Sequence, residues 1–418
     1  MITTRYRLAA ALALAALAAA AQTKPGIENL RESGFKLLEG KRVGLITNAT
    51  GVDNQLKSTV DILWEADNVE LVALFGPEHG VRGDIHAGDA VGDGTDPATG
   101  VKVYSLFGKT RKPTPEMLEQ VDVMVYDIQD IGCRSYTFIS TMGLAMEACA
   151  ELGKEFVVLD RPNPLGGNKV EGCVVEDGYY SFVSQFPIPY LYGLTPGELA
   201  LLLNGEGMLA GGVKVDLTVV PMTGWKREMS FGDTGMPWLI PTPHIPTAKS
   251  AAYYPATGIL GELYAVSIGV GYTLPFKLVC ANWVDAEAFS ARMTALNLPG
   301  VMFRPIHIKP FYQTLQNGPV DMMQDMHGVE IYLTDTDAAQ LTLIQFYALE
   351  TLADMYPDKL VFSMKGVPKR LAMFDKVCGT DQIRKLFTKR YKVADMADYW
   401  NKDADSFKAT SAKYYLYH

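Results

Sequence analysis

The sequence predicts an α/β chain in which a mostly parallel sheet, covered by helices on both faces, is followed by a smaller α+β domain. Three observations carry that reading. Between residues 41 and 163, short β-branched runs alternate with helical patterns, the cadence of a wound parallel sheet. Those runs are apolar along their whole length, as expected of strands buried on both faces. From about residue 275 the rhythm changes to strand, helix, strand, strand, helix, which suits a second, smaller unit.

Taken in order, RVGLITN (42–48) is the first strand and STVDILWEA the helix after it. VELVALFG (69–76) is the second strand, KVYSLFG (102–108) the third, and TPEMLEQ begins a short helix. VDVMVYDIQ (121–129) is the fourth strand, TFISTMGLAMEACAELG a long helix, and EFVVLD (155–160) the fifth strand. In GLTPGELALLLNGEG, Thr195 is placed as an N-cap with Pro196 at the first helical position and Glu198 completing a capping box. KVDLTVVPM (214–222) is a further strand. The segment with Pro237, Pro241, Pro243, Pro246 and Pro255 reads as an ordered loop near a domain junction. Beyond it FKLVCANW, VMFRPIHI and HGVEIYLTD are strands, DAEAFSARMTALNL and AQLTLIQFYALETLADMY are helices, and the last forty or so residues are helical up to the tail KYYLYH.

The chain has 418 residues, 48% hydrophobic and 20% charged, which is ordinary globular composition with room for two domains. A net charge of -9 with no dominant basic cluster argues against nucleic acid, whose phosphates demand clustered Lys and Arg. The opening MITTRYRLAAALALAALAAAAQ has Arg5 and Arg7 ahead of an Ala/Leu run, the pattern of a cleaved export signal, too short and Ala-rich for a membrane span. The expected divisions are a signal peptide over 1–21, a sheet domain over 22–270 and a smaller domain over 271–418, with a soluble mature protein in the periplasm. Cys133, Cys149, Cys173, Cys280 and Cys378 are odd in number and scattered, so they read as small buried hydrophobes and not as a disulfide framework.

In an open parallel sheet the ligand crevice lies at the carboxyl ends of the strands. Those ends carry Asn48 after the first strand, Glu78, His79 and Arg82 after the second, Asp127, Gln129, Asp130, Arg134 and Tyr136 after the fourth, and Asp160, Arg161 and Asn163 after the fifth. Carboxylates beside guanidinium groups at several consecutive strand ends point to a site. The sheet is Rossmann-like, yet no G-x-G-x-x-G follows the first strand and no P-loop occurs, so no dinucleotide cofactor is expected. DIHAGDAVGDGTD (84–96) lacks EF-hand spacing, no H-E-x-x-H occurs, and the stretch reads as an acidic lid; no metal is expected. The absence of G-x-S-x-G removes a nucleophilic serine.

Glu78, just past a buried strand, is the candidate general acid, because a partly desolvated carboxyl holds its proton nearer neutrality; the bland alternative is a loop ion pair with Arg82. His79 either orients that carboxyl or is an ordinary loop histidine. Asp127 and Asp130 either supply a second carboxylate or pin Arg134 in a structural pair. Arg134 and Arg161 suit bidentate recognition of a carboxylate or sugar substituent, or belong to the same ion-pair network. Tyr253, Tyr254, Tyr264 and Tyr272, near Trp238, are either a sugar platform or interface packing.

The motifs GLITNATG, LFGPEHGVRGD, VYDIQDIGCRSYT, VLDRPNPLGG, YGLTPGELALLLN and PTPHIPT resemble the NamZ-type exo-β-N-acetylmuramidases, a glycoside hydrolase family acting on peptidoglycan fragments. The resemblance implies a cleft between a sheet domain and a smaller C-terminal domain, no organic cofactor, and release of N-acetylmuramic acid from non-reducing ends. It implies Glu78 as catalytic acid, and glycoside-cleavage chemistry, which usually needs a second carboxylate, is satisfied by Asp127 or Asp130 as its partner. Asn48, His79, Arg82, Gln129, Arg134, Tyr136, Arg161, Asn163, His244 and Glu262 are then the substrate-binding set. One departure stands out: where the family pattern has a second glutamate and an arginine, GELYAVSIGVGYTLPF carries Ile268 and Val270. The alternative left open is a non-catalytic saccharide- or muropeptide-binding protein.

Overall fold

The computed structural model describes residues 22–83, 93–312 and 319–418. The expected leader, and Asp84, His86 and Asp89 of the acidic stretch, lie outside the described residues.

The sheet domain is built from β1 (Arg42–Thr47), β2 (Glu70–Gly76), β3 (Gly94–Thr95), β4 (Lys102–Ser105), β5 (Val123–Asp127), β6 (Glu155–Leu159), a short pair β7 (Val170–Glu171) and β8 (Leu191–Tyr192), and β9 (Asp216–Val220). Its seven-stranded sheet runs β3-β4-β2-β1-β5-β6-β9. Only the two-residue edge strand β3 is antiparallel. Direction reverses between β1 and β5, the switch point at which open sheets of this kind hold ligands.

The unbroken apolar runs have a simple cause, visible in β5. Val123 and Val125 face α1 (Gly26–Glu32) and α2 (Thr59–Trp64), packing with Ile27, Leu30, Val60 and Leu63. Met124 and Tyr126 face α3 (Phe138–Leu152) and α4 (Pro196–Gly205), packing with Met142, Met146, Leu199 and Leu203. Both sides of the pleat are therefore apolar. Helix α4 starts as the sequence predicts, with the Thr195 side chain accepting from Glu198 N–H and the Glu198 carboxylate accepting from Thr195 N–H.

The second lobe contains α5 (Ser250–Gly261), β10 (Leu278–Ala281), α6 (Ala286–Ala295), β11 (Val301–Ile308), β12 (Met326–Leu333), α7 (Ile344–Met355) and α8 (Leu371–Cys378), followed by shorter helices. The three strands form an antiparallel sheet in the order β10-β12-β11. Its core joins Phe289, Val329, Phe346, Phe374, Phe387 and Trp400 with Ala251, Ala256, Ile259 and Leu260 of α5, and it runs on into Ile131, Cys133, Cys173, Tyr190 and Leu191 of the sheet domain.

Two expected elements differ. TPEMLEQ forms turns and no helix; Leu118 N–H is shared between the carbonyls of Thr114 and Pro115, and the chain then enters β5. The end of the Pro-rich segment is helical, with Pro255 inside α5. Tertiary contacts hold it there: Gln345 Nε2 donates to Pro255 O at 2.9 Å, and Gln345 Oε1 accepts from Leu260 N–H at 2.9 Å. The five cysteines are free and buried. Among the described residues no helix is long and apolar enough to cross a membrane.

Candidate active site

Strand β2 ends in a turn over Pro77, Glu78, His79 and Gly80, closed by Gly80 N–H donating to Pro77 O at 3.0 Å. The third residue of such a turn is where glycine is preferred when φ is positive. Here it is His79, with φ 75° and 6% exposure. A side chain held in the left-handed region costs about 1–2 kcal/mol, and the turn keeps it immediately beside half-buried Glu78.

Tyr136 and Tyr254 lie across from this turn, edge to face with ring centroids 5.8 Å apart. Burial pushes the Tyr136 hydroxyl well above the usual phenol range, and the nearby charges of Asp130 and Glu78 push the same way. Burial does the same to Tyr254, with contributions from Glu262 and Glu78. His79 and His244 are also neighbours: burial first, then the charge of His79, lowers the His244 pKa. Tyr254 therefore lies within electrostatic reach of Glu78 from the sheet domain and Glu262 from the second lobe, and it packs on Tyr136, which also feels Asp130.

Tyr254 opens onto a cleft of about 880 Å³ that is also lined by His244, Glu262, Tyr264, Ile268 and Val270. Tyr264 and Phe276, both lining it, have φ of 50° and 63°. With His79 they are three of the seven non-glycine residues at positive φ among the described residues, and strain of this kind gathers at functional sites. Of the tyrosines read as a possible platform, Tyr254 and Tyr264 reach the cleft. Tyr253 instead accepts from Leu333 N–H, and Tyr272 packs on Phe311.

Asp130 is 2% exposed; its Oδ2 accepts from Tyr192 Oη at 2.5 Å and from Gly132 N–H at 2.7 Å. Burial raises its pKa to about 7 against the opposing pull of those donors, so near neutrality both its protonated and its ionised forms are populated. Its Oδ1, with Asn48 Nδ2, Gln129 Oε1 and Tyr136 Oη, is buried without a hydrogen-bond partner among the described residues. Buried polar atoms left unpaired are costly, and all four belong to strand-end residues picked out by the sequence.

The remaining expected site residues are held by the protein itself. Asp127 is gripped by Arg161, Nε to Oδ1 at 2.5 Å and Nη2 to Oδ2 at 2.9 Å, and by the Thr59 hydroxyl. This fully buried pair occupies the β1/β5 crevice, where a void of about 10 Å³ is left between Thr50, Gln129, Arg161 and Phe231. Neither Asp127 as second catalytic carboxylate nor Arg161 as substrate fork fits that arrangement. Arg82 does not pair with Glu78; it bonds Asp96 at 2.8 Å and Asp61 at 3.0 Å. Arg134, expected as a carboxylate fork or as the partner of Asp127 or Asp130, donates to four carbonyls, those of Cys173, Ile188, Val377 and Cys378. Asn163 bonds Leu194 O and Leu165 N–H. Asp160 is enclosed by Gly197 N–H, Thr195 Oγ1 and, from the C-terminal tail, Tyr417 Oη at 2.6 Å.

Sequence reasoning missed Tyr312, which hydrogen-bonds His244 at 2.9 Å, and Arg370, which bonds Glu262. Both come from distant parts of the second lobe, and no local pattern announces them.

Comparison with known proteins bears on the whole chain. Residues 43–249 match the family model described as the N-terminal domain of exo-beta-N-acetylmuramidase NamZ, and residues 252–417 match the C-terminal domain. The chain is 44% identical over 396 residues to the peptidoglycan beta-N-acetylmuramidase NamZ of Bacillus subtilis (strain 168), covering 95% of this chain and 92% of that protein. It is also similar to two crystal structures of DUF1343 family proteins from Bacteroides fragilis NCTC 9343. One has 58% identity and a TM-score of 0.90, the other 30% and 0.74, each covering 95% of this chain and 99% of the other.

Proposed function

The chain belongs to the exo-beta-N-acetylmuramidase NamZ family, both of whose domains it carries in order, and on that premise we propose that it is an exo-acting glycoside hydrolase releasing N-acetylmuramic acid from the non-reducing ends of peptidoglycan fragments. The observation that carries the reading is the strained turn that holds Glu78 within electrostatic reach of Tyr136 and of Tyr254, the second of which lines the cleft.

Glycoside cleavage passes through an oxocarbenium-like state and ordinarily needs a proton for the departing oxygen and a second carboxylate near the anomeric carbon. Glu78 is the proton donor. Asp130 is the second carboxylate by elimination, since both oxygens of Asp127 are engaged by Arg161. Tyr136 Oη, without a hydrogen-bond partner among the described residues and within electrostatic reach of Glu78, is the group through which a sugar hydroxyl or the acetamide is oriented. The strand order, counted over the parallel strands alone, supports the Rossmann-like description. The basic start and Ala/Leu run of residues 1–21 support export to the periplasm; N-terminal sequencing of periplasmic protein should begin at Gln22.

The test is incubation of purified protein with defined glycans ending in N-acetylmuramic acid or in N-acetylglucosamine. Free N-acetylmuramic acid should appear from the first only. Tight muropeptide binding without turnover would instead establish a non-catalytic binding protein.

A further inference from the structure

N-Acetylmuramic acid differs from N-acetylglucosamine by a lactyl ether, which adds one carboxylate and one methyl group. A carboxylate entering a partly desolvated cleft needs a cation, yet among the described residues lining the cleft there is neither lysine nor arginine, and Glu262, which lines it, has its pKa raised by burial. Arg82, Arg134 and Arg161 are fixed by the partners given above.

Arg370 differs from all three. Its Nε donates to Glu262 O at 3.0 Å and its Nη2 to Glu262 Oε2 at 3.2 Å, a single long contact to that carboxylate. Its Cζ lies 4.8 Å from the centroid of Tyr264, a cleft-lining ring in the left-handed conformation. Nη1 has no hydrogen-bond partner among the described residues, and the side chain is 26% exposed. The guanidinium is thus oriented by two residues that line the cleft, Tyr264 and Glu262, while Nη1 is not engaged by the described residues, which suits the planar recognition of a carboxylate.

The apolar partner is adjacent. A Cβ on Gly261 would come 2.4 Å from Ile268 Cδ1, so the bare glycine lets Ile268 pack against the residue preceding Glu262. Val270 lines the same cleft. We propose that Arg370 recognises the lactyl carboxylate and that Ile268 and Val270 receive the lactyl methyl, a positioning role that rests on the muramidase reading.

Calorimetric titration of the full chain with N-acetylmuramic acid and with N-acetylglucosamine tests this directly. Arg370→Ala should weaken the muramic acid about ten- to a hundredfold and leave the glucosamine within about twofold, with Arg370→Lys between. Val270→Glu, which leaves Arg370 in place, should weaken the muramic acid selectively by like-charge repulsion. On a muramide substrate, Arg370→Ala should raise KM with kcat within about threefold. Unchanged muramic acid affinity in Arg370→Ala, or equal loss for both sugars, overturns the proposal. A wild type that binds muramic acid through Arg370 but hydrolyses no muramide refutes the hydrolase reading and leaves this one standing.

Discussion

Arg134 caps the carbonyl end of a helix in the other lobe: its Nη2 donates to Cys378 O at 2.9 Å, and also to Val377 O at 3.0 Å. The last carbonyls of a helix have no intrahelical donor and carry its negative dipole end. Gly379, at φ 80°, lets the two approach, since a Cβ there would lie 2.8 Å from Arg134 Nη2. Because Nη1 meanwhile holds Cys173 O and Ile188 O, one side chain ties the two lobes together.

Arg134→Met should therefore destabilise the protein by about 3 kcal/mol or more, because it strips donors from four buried carbonyls. Scanning calorimetry should show the loss, with a variant at exposed Arg292 unchanged.

Asp130 and Asp160 both have pKa values raised to about 7 by burial. Between the ordinary carboxylate range and 7 the folded state binds more protons than the unfolded chain, so stability falls as pH rises through that window. Melting temperature should decline from about pH 4 to about pH 7, and Asp130→Asn should flatten the slope.

The His79 backbone makes a second stability prediction. His79→Gly should keep the turn, whereas His79→Val, β-branched at positive φ, should be about 2 kcal/mol less stable than His79→Gly. Equal melting of the two variants would mean the turn is not strained.

Gly132, at φ 77°, packs where a Cβ would meet Asn163 Oδ1 at 2.3 Å, and its N–H holds Asp130. Gly132→Ala should cost about 2 kcal/mol and also displace Asp130, so activity should fall further than stability accounts for.

The parallel strands were legible because helices cover both faces of the sheet and leave no polar alternation in β1, β2, β5 or β6. The edge strand β3 is two residues long and carries no such pattern. Helix α5 was obscured by Pro255, whose place depends on Gln345 far along the chain. At the site, strand ends located the polar residues but could not say which way each turns. Asp127 and Asp130 are three positions apart; the first meets Arg161 and the second Tyr192, a distinction made by tertiary packing alone. The same limit hid Arg370, whose partner Glu262 stood in the sequence without one.

The most direct test of the central claim, that Glu78 protonates the departing oxygen, compares Glu78→Gln on two muramides of different leaving-group quality. A poor leaving group such as a sugar depends on the acid, and a dinitrophenolate hardly does. Glu78→Gln should lose about a hundredfold or more in kcat/KM on the disaccharide and far less on the dinitrophenyl muramide. Equal losses on both substrates, or none, would contradict the claim.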